Sequence, residues 1–335
     1  MTLHSQTRRA VMAAATAALM TVSLAGQAQP AAPKFDTVRI VVGFPPGGMP
    51  DTLSRRVASE LTGTYAKNVV VENKAGAGGQ LAISEAMRAP NDGSVLLFSP
   101  SPMLTLYPHT YPNLPYNMNK DVVPVAASGF GILALAVGPL VPSSVTNVRE
   151  LIEWVKQNPQ HASYATGAPG SPMHFLGALL SESAGVSLSH VPYRGTPPAL
   201  LDIVGGQLPM VLSSQGEFFA MHRDGKIRIL AVAADKRSEA LPDVPTFAEQ
   251  GFPEVDGSGG IMGFFLPGGA SPEVVQQAFK ALHPVVQRDS VVEVMRQTGL
   301  EPGTSASPEE FAGWLRDEHD QWQPIVKRVG FTSAS

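Results

Sequence analysis

A short apolar run ending in a proline–glycine corner constrains this chain more than any other stretch. Val38 to Asp51 reads VRIVVGFPPGGMPD. Val38, Ile40, Val41 and Val42 are almost continuously apolar, as a buried parallel strand requires. Phe44-Pro45-Pro46-Gly47-Gly48 then stops the strand. Two prolines remove backbone donors, and two glycines let the chain turn where a Cβ would clash. Asp51 is placed to cap a helix beginning at Thr52, and Leu53, Val57 and Leu61 give that helix one buried face. A strand, a tight turn and a helix start together leave unpaired N–H groups that suit an anion such as a carboxylate. The same residues also suit an ordinary βα turn that needs glycine for geometry alone, and the stretch by itself does not choose.

The first 28 residues read as an export leader. Arg8 and Arg9 close a short basic start, Ala10 to Leu24 is apolar but short for a bilayer span, and Gly26-Gln27-Ala28 has the small-x-small form of a cleavage site. Cleavage is expected after Ala28. The residues flanking the arginine pair fit a twin-arginine signal poorly, so general secretion fits better. The sequence contains no cysteine, which excludes disulfides, thiol catalysis and lipid attachment at a cysteine. The expected product is a soluble periplasmic protein. About 300 residues remain, which suits two lobes better than one core. The net charge of −4 becomes −6 when the two leader arginines leave, so no basic stripe is available for nucleic acid. That balance would also repel a small anion, so any attraction must come from local dipoles and a few side chains.

The strand–turn–helix unit recurs along the chain. Val69 to Glu72 reads as a strand leading into Gly76-Ala77-Gly78-Gly79 and a helix from Gln80 to Met87. This turn lacks both the P-loop ending and the dinucleotide-binding glycine spacing. Val95 to Phe98 is a third strand, ending in Ser99-Pro100-Ser101-Pro102. Tyr107 to Tyr116 reads as a long surface loop, and Val122 to Val137 as extended chain running between lobes. In the second half, Thr146 is expected to cap a helix bearing Val148, Leu151, Ile152 and Val155. Tyr164-Ala165-Thr166 runs into Gly167 to Pro172, with Ser171 as N-cap and Pro172 as first helical residue. Val191 to Thr196 repeats the arrangement, with Thr196 as cap, and Met210 to Leu212 ends in Ser213-Ser214. Ile229 to Ala233 is a strand, Leu241 to Thr246 is a rigid turn before a helix through Phe247, and Ile261 to Leu266 returns the chain. Ser271-Pro272-Glu273 and Ser307-Pro308-Glu309-Glu310 open terminal helices. In an open parallel sheet such turns gather along one edge, where ligands bind.

Read in order, VVGFPPGGMPD, VVVENKAGAGG, NDGSVLLFS, YATGAPGSPMH, VPYRGTPPALLDIVGGQ, LPDVPTFAEQGF, GFFLPGGASPEVV and PEEFAGWLRDEHDQW form a specific series. It resembles the Bug/TctC family, the substrate-binding proteins of tripartite tricarboxylate transporters, over essentially the whole mature chain. The resemblance implies an α/β, two-lobed periplasmic-binding-protein fold of type II (Venus flytrap) with two hinge crossings. The first lobe is expected over 36–130 and 261–335, and the second over 131–260. It further implies a monomeric receptor that captures a small organic carboxylate between the lobes and hands it to a membrane permease, without cofactor or metal. A receptor feeding a signalling system would present the same cleft. Carried over position by position, the first-lobe contacts would be Phe44, Gly47, Gly48, Asp51, Ala77, Gly78, Ser99 and Ser101. Those of the second lobe would be Gly170, Ser171, His174, Tyr193, Gly195 and Ser213 or Ser214. The chain departs from the family pattern at Met49-Pro50, Ser99 to Pro102 and Ser213-Ser214, where ligand identity would be read.

The glycines would act by exposing backbone N–H groups; turn geometry alone also accounts for them. Asp51 faces an anion poorly and is better suited to capping and to orienting a water. Ser171 could donate to a carboxylate or only cap, and His174 could touch the ligand or only brace its loop. Arg194 is a tempting carboxylate partner, but a lone loop arginine usually stays solvated. A hydrolase reading finds no Gly-x-Ser-x-Gly elbow and no His-Glu-x-x-His set, so catalysis is not expected.

Overall fold

The computed structural model describes residues 34–255 and 258–332, and the expected leader lies outside them. Strand β1 (Phe35–Val42) is followed by helix α1 (Met49–Leu61), β2 (Ala66–Asn73), α2 (Gln80–Ala86) and β3 (Val95–Pro100). β1 lies in parallel between β2 and β3, with Val42 opposite both Asn73 and Phe98. The buried Val38, Ile40 and Val42 pack with Leu53, Val57 and Leu61 of α1, so the apolar period of that helix does settle its buried face.

Short helices α3 (Pro102–Thr105), α4 (Tyr107–Thr110) and α5 (Met118–Asp121) lead to β4 (Val122–Val137). The segment expected as a surface loop therefore contains α4, and it buries Tyr107 and Tyr116. The Tyr116 hydroxyl donates to the Met103 carbonyl at 2.5 Å, which gives its polar end a partner inside the core.

The second half runs α6 (Val148–Gln157), β5 (Ser163–Thr166), α7 (Pro172–Ser183), β6 (Ser189–Pro192), α8 (Thr196–Val204), β7 (Met210–Ser214), α9 (Phe219–Arg223) and β8 (Arg228–Ala233). Asn147, rather than Thr146, caps α6 by accepting from the Glu150 N–H; Glu150 in turn reaches back to Thr146. The helix expected through Phe247 is only a single tight turn, Ala248–Gln250. The chain returns through β9 (Ser258–Pro267), α10 (Pro272–Val286), α11 (Asp289–Gln297), β10 (Leu300–Glu301) and α12 (Pro308–Val329). Ser271 and Ser307 cap α10 and α12 as expected.

Two sheets share β4. The first has the order β2-β1-β3-β9-β4, with β10 also on β4; the second has the order β8-β4-β7-β5-β6. Residues 122–132 of β4 pair with β9, and residues 133–137 pair with β7 and β8. The extended segment expected between lobes is thus one continuous strand that leaves one sheet and enters the other.

The crossing is closely packed. A Cβ on Gly131 would lie 2.7 Å from the Gly259 carbonyl oxygen of β9, inside any tolerable contact with rigid backbone. Gly131→Val should therefore lower stability by about 1–3 kcal/mol, the usual range for overpacking. It should appear as a lower urea midpoint at unchanged slope. An unchanged midpoint would mean that β4 and β9 part here at no cost.

Candidate functional site

The register of the two sheets brings the sequence-predicted turns to two edges. In the first sheet, the turns after β1, β2 and β3 leave the same edge, because all three strands are parallel and end level. Pro100 at the end of β3 pairs with Met262, and the neighbouring Ile261 pairs with Phe130 of β4. In the second sheet, β5 is parallel to β6 and β7, and Ser214 at the end of β7 pairs with Leu133 of β4. Both turn-bearing edges therefore lie level with the crossing at Phe130 to Leu133.

In the first half, Gly48 and not Asp51 is the N-cap of α1. Pro50 explains the shift: its fixed φ and missing N–H suit a first helical turn, so the helix starts earlier than the aspartate. Asp51 falls within that first turn, 3% exposed. One carboxylate oxygen accepts from the Gly47 N–H at 2.9 Å and from Arg55 Nε at 3.0 Å. The other accepts from Asn73 Nδ2 at 2.9 Å and pairs with the Arg55 guanidinium at 2.8 Å. Asn73 Nδ2 also lies 3.0 Å from the Phe44 carbonyl oxygen. Burial pushes the Asp51 carboxyl up, but Arg55, the Gly47 N–H and Asn73 outweigh burial and hold it below the usual carboxylate range. Asp51 is thus the internal anchor of its turn. Sequence reading missed Arg55 and Asn73. The four-residue spacing from Asp51 could have found Arg55; Asn73 is adjacent only through the pairing of β1 with β2.

Beside this turn, Ala77 stands at φ +47 and Gly78 at φ +62, and both are exposed. Left-handed backbone costs a residue with a Cβ about 1–2 kcal/mol, so the fold holds this corner against a local preference. Ser99 and Ser101 are buried. Ser101 Oγ accepts from the Ile261 N–H at 2.7 Å, so that hydroxyl oxygen ties β3 to β9.

In the second half, Gly170 stands at φ +71 and its N–H donates to His174 Nδ1 at 3.0 Å. The acceptor role assigns the His174 proton to Nε2. Ser171 occupies the N-cap position of α7, but its hydroxyl donates to the Ala168 carbonyl at 2.7 Å instead of capping. The N-cap of α8 is Gly195, at φ +93, and not Thr196. The chain needs positive φ there, which glycine supplies at no steric cost. The Gly195 N–H donates to the Gly167 carbonyl at 2.8 Å. Ser213 Oγ lies 2.8 Å from Thr196 Oγ1 and 2.6 Å from the Glu217 carboxylate, while Ser214 is half-buried at the strand end. The Tyr193 hydroxyl donates to Asp202 at 2.5 Å; burial first, and the Asp202 carboxylate second, push the phenol up to about 12.

Most side-chain donors named from sequence therefore serve their own turns. Among the described residues, the backbone N–H groups without a partner in the chain include Gly48 and Met49, Ala77 and Gly78, and Ser171, Met173 and Thr196. Five of these, Gly48, Met49, Ser171, Met173 and Thr196, lie at the N-cap or in the first turn of a helix, where the aligned peptide dipoles favour negative charge.

Two sets of titratable groups support these turns from behind. His174 stacks on His190 with ring centroids 4.0 Å apart. Burial lowers both, and the neighbouring His174 helps bring His190 to about 4. On α12, Glu318 is buried beside Ser101, Thr105 and Trp322, yet neither carboxyl oxygen makes a well-formed hydrogen bond. Burial pushes it up to about 7. A cavity of about 960 Å³ lies against Phe130–Ile132 and Trp322, but none of the sequence-predicted site residues lines it. Pro45–Gly48 and Gly76–Gly78 are exposed, so their turns open to solvent rather than enclosing a cavity.

Residues 53–331 match a family model described as tripartite tricarboxylate transporter family receptor. The periplasmic binding protein BugD is similar in structure, with a TM-score of 0.76 and 31% identity over 89% of this chain and 99% of BugD. A Rhodopseudomonas palustris protein solved with adipate gives a TM-score of 0.79 at 28% identity, covering 88% of this chain and 98% of that one. MatC from Rhodopseudomonas palustris, solved with bound malate, gives 0.74 at 27% identity, covering 87% and 98%. The α/β periplasmic-binding-protein fold expected from the motif series is the fold observed.

The supporting groups predict opposite pH responses. Glu318 binds its proton more tightly folded than unfolded, so its contribution is full below about 4.5 and is lost as pH rises through about 7. Relative to the native chain, Glu318→Gln should gain on the order of 3 kcal/mol between those limits, read from urea midpoints at pH 5 and pH 8. Equal gains at both pH values would place the carboxyl in water. His190 binds its proton less tightly folded, so its contribution is full above about 6.5 and is lost as pH falls through about 4. His190→Asn should make the acid side of the stability profile shallower, and a histidine NMR titration near 6.5 for the native chain would contradict this.

Proposed function

We propose a function from family membership and geometry together: the chain belongs to the tripartite tricarboxylate transporter receptor family, and we read it as a periplasmic receptor for a small organic carboxylate. The observation that carries the reading is the set of unpartnered backbone N–H groups at the helix starts of both sheets, on the two edges level with the crossing. A carboxylate held there would exchange water for charge-assisted hydrogen bonds, each contributing about 1.5–3 kcal/mol. Micromolar binding requires about −8 kcal/mol in all, which several such bonds and partial desolvation can supply. The relatives carrying adipate and malate support an acid of that size and class. Lobe closure would make donors from both edges converge, and the ligand's extra contacts in that state would favour it. The loaded receptor would then deliver its acid to the membrane permease of a tripartite tricarboxylate transporter.

Nothing in the site favours catalysis. Ser171 and His174 are close in sequence, but the serine donates to a carbonyl and His174 Nδ1 accepts from the backbone, so they do not form a nucleophile–base pair.

A thermal-shift panel tests the reading. Adipate or malate at a hundredfold excess over its Kd should stabilise the protein by about 2.7 kcal/mol, a rise of several degrees. Gly48→Val should weaken that binding at least tenfold in calorimetry with far-UV circular dichroism unchanged. A Cβ on Gly48 meets only the Pro45 oxygen at 3.6 Å and Pro50 Cδ at 3.8 Å, so the fold accommodates it while the side chain obstructs the turn. Stabilisation by a neutral sugar and by no acid would sink the proposal.

A further inference from the structure

The C-terminal helix reaches both halves of the proposed site. α12 packs on β4, α3 and α4, and Phe311 and Leu315 from its face join Leu97 and Phe265 in the first-sheet core. Glu318 sits beside Ser101 at the end of β3. Farther along, Trp322 lies 5.9 Å from Phe175 of α7, and Arg328 pairs with Glu182 of α7 at 3.0 Å. One residue past the helix-ending Gly330, Phe331 presents its ring edge-on to His174 at 4.9 Å and to Phe175 at 5.9 Å. The ring also closes over Gly170, where a Cβ would lie 2.6 Å from the Phe331 ring. Only glycine both reaches φ +71 there and leaves room for that ring.

We propose that Phe331 is a positioning residue for the ligand site: its ring, delivered by α12, holds the Gly170–His174 turn in the conformation that leaves the Ser171 and Met173 N–H groups free for an acid. Hydrogen bonds hold most of the turn, but the outer face of Gly170 and one face of the His174 ring are covered by Phe331 alone among the ring contacts from α12 and its end. The Gly170 N–H donates to His174, Ser171 Oγ to the Ala168 carbonyl, the Tyr164 hydroxyl to the His174 carbonyl and the His174 N–H to the Ser171 carbonyl, and the aromatic contacts of His174 complete the turn. Removing the Phe331 ring opens the buried face of His174 to water and lets Gly170 sample the other conformations a glycine allows. The affinity part of this inference rests on the carboxylate reading above; the ordering of the turn does not.

The experiment has two arms on the full mature chain. Backbone hydrogen exchange without ligand compares the native protein with Phe331→Ala, Phe331→Leu and Phe331→Tyr. Calorimetry measures Kd for adipate and malate in the same four proteins. Exchange over Gly170–Phe175 should rise at least tenfold in Phe331→Ala, with the β1–β3 region unchanged, and Phe331→Tyr should restore protection. Kd should weaken at least fivefold in Phe331→Ala, follow the exchange order across the series, and recover in Phe331→Tyr. Unchanged local exchange in Phe331→Ala overturns the inference, as does raised exchange with an unchanged Kd. If the native chain takes neither acid, the carboxylate reading falls, and local exchange alone decides whether Phe331 holds the turn. Loss of protection throughout the molecule in both Phe331→Ala and Phe331→Leu would make the ring a general core residue and would likewise overturn it.

Discussion

One strand shared by two sheets sets the geometry of everything else. β4 pairs with β9 along its first part and with β7 and β8 along its last, so the sheets cannot be placed independently. β7 and β9 are both antiparallel to β4, and β3 is antiparallel to β9. The carboxyl ends of β3 and β7 are therefore brought to the same level of β4 from opposite sides. Gly131 and Gly259 allow the backbones to touch at that level. A side chain at either position would separate the strands and, with them, the two sets of turns.

The turns themselves divide their polar groups between two tasks. Side chains tie the turns within each half: Asp51 takes the Gly47 N–H, His174 takes the Gly170 N–H, and the Thr196 hydroxyl meets the Ser213 hydroxyl. Each such bond fixes a loop that would otherwise be flexible and removes a donor from competition. The donors left over are peptide N–H groups at helix starts, whose direction is set by the helices and whose charge is not lost at any pH. This resolves the electrostatic conflict posed by a chain of net charge −4. The overall field disfavours an anion, but fixed dipoles act at contact distance, where screening by water and salt is weakest.

Much of this was legible in the residues, for local reasons. The strand–glycine–helix units follow from apolar runs, proline and glycine, which act within a few residues and need no tertiary context. The helix starts differ from expectation at Asp51 and Thr196 because an N-cap preference of about 1 kcal/mol is small beside the effects of a neighbouring proline or a required positive φ, and at Thr146 because Asn147, an equally good cap, stands next to it. Asn73, Glu318 and Phe331 left no signal in the sequence. Asn73 enters through strand pairing, and the other two through a helix packed from the far end of the chain. Sequence could nominate Ser171 as a donor, but its hydroxyl turns inward to Ala168, a choice made by loop closure rather than by residue type.

The supports behind the two edges share an electrical property that fits their position. Burial holds His174 below the usual histidine range, burial and the neighbouring His174 bring His190 to about 4, and burial pushes Glu318 up to about 7. Asp51, buried in the first turn of α1, is matched by Arg55. Between those limits the two histidines and Glu318 add almost no net charge behind the turns, while the Glu217 and Asp202 carboxylates hold Ser213 and Tyr193. A carboxylate arriving there would meet peptide dipoles from both sides. Such a site would distinguish acids by the shape that joins their carboxylates, because each oxygen would be recognised by direction and distance. Departures in loop residues such as Met49-Pro50 and Ser213-Ser214 would then alter the shape accepted without altering how the acid group is held.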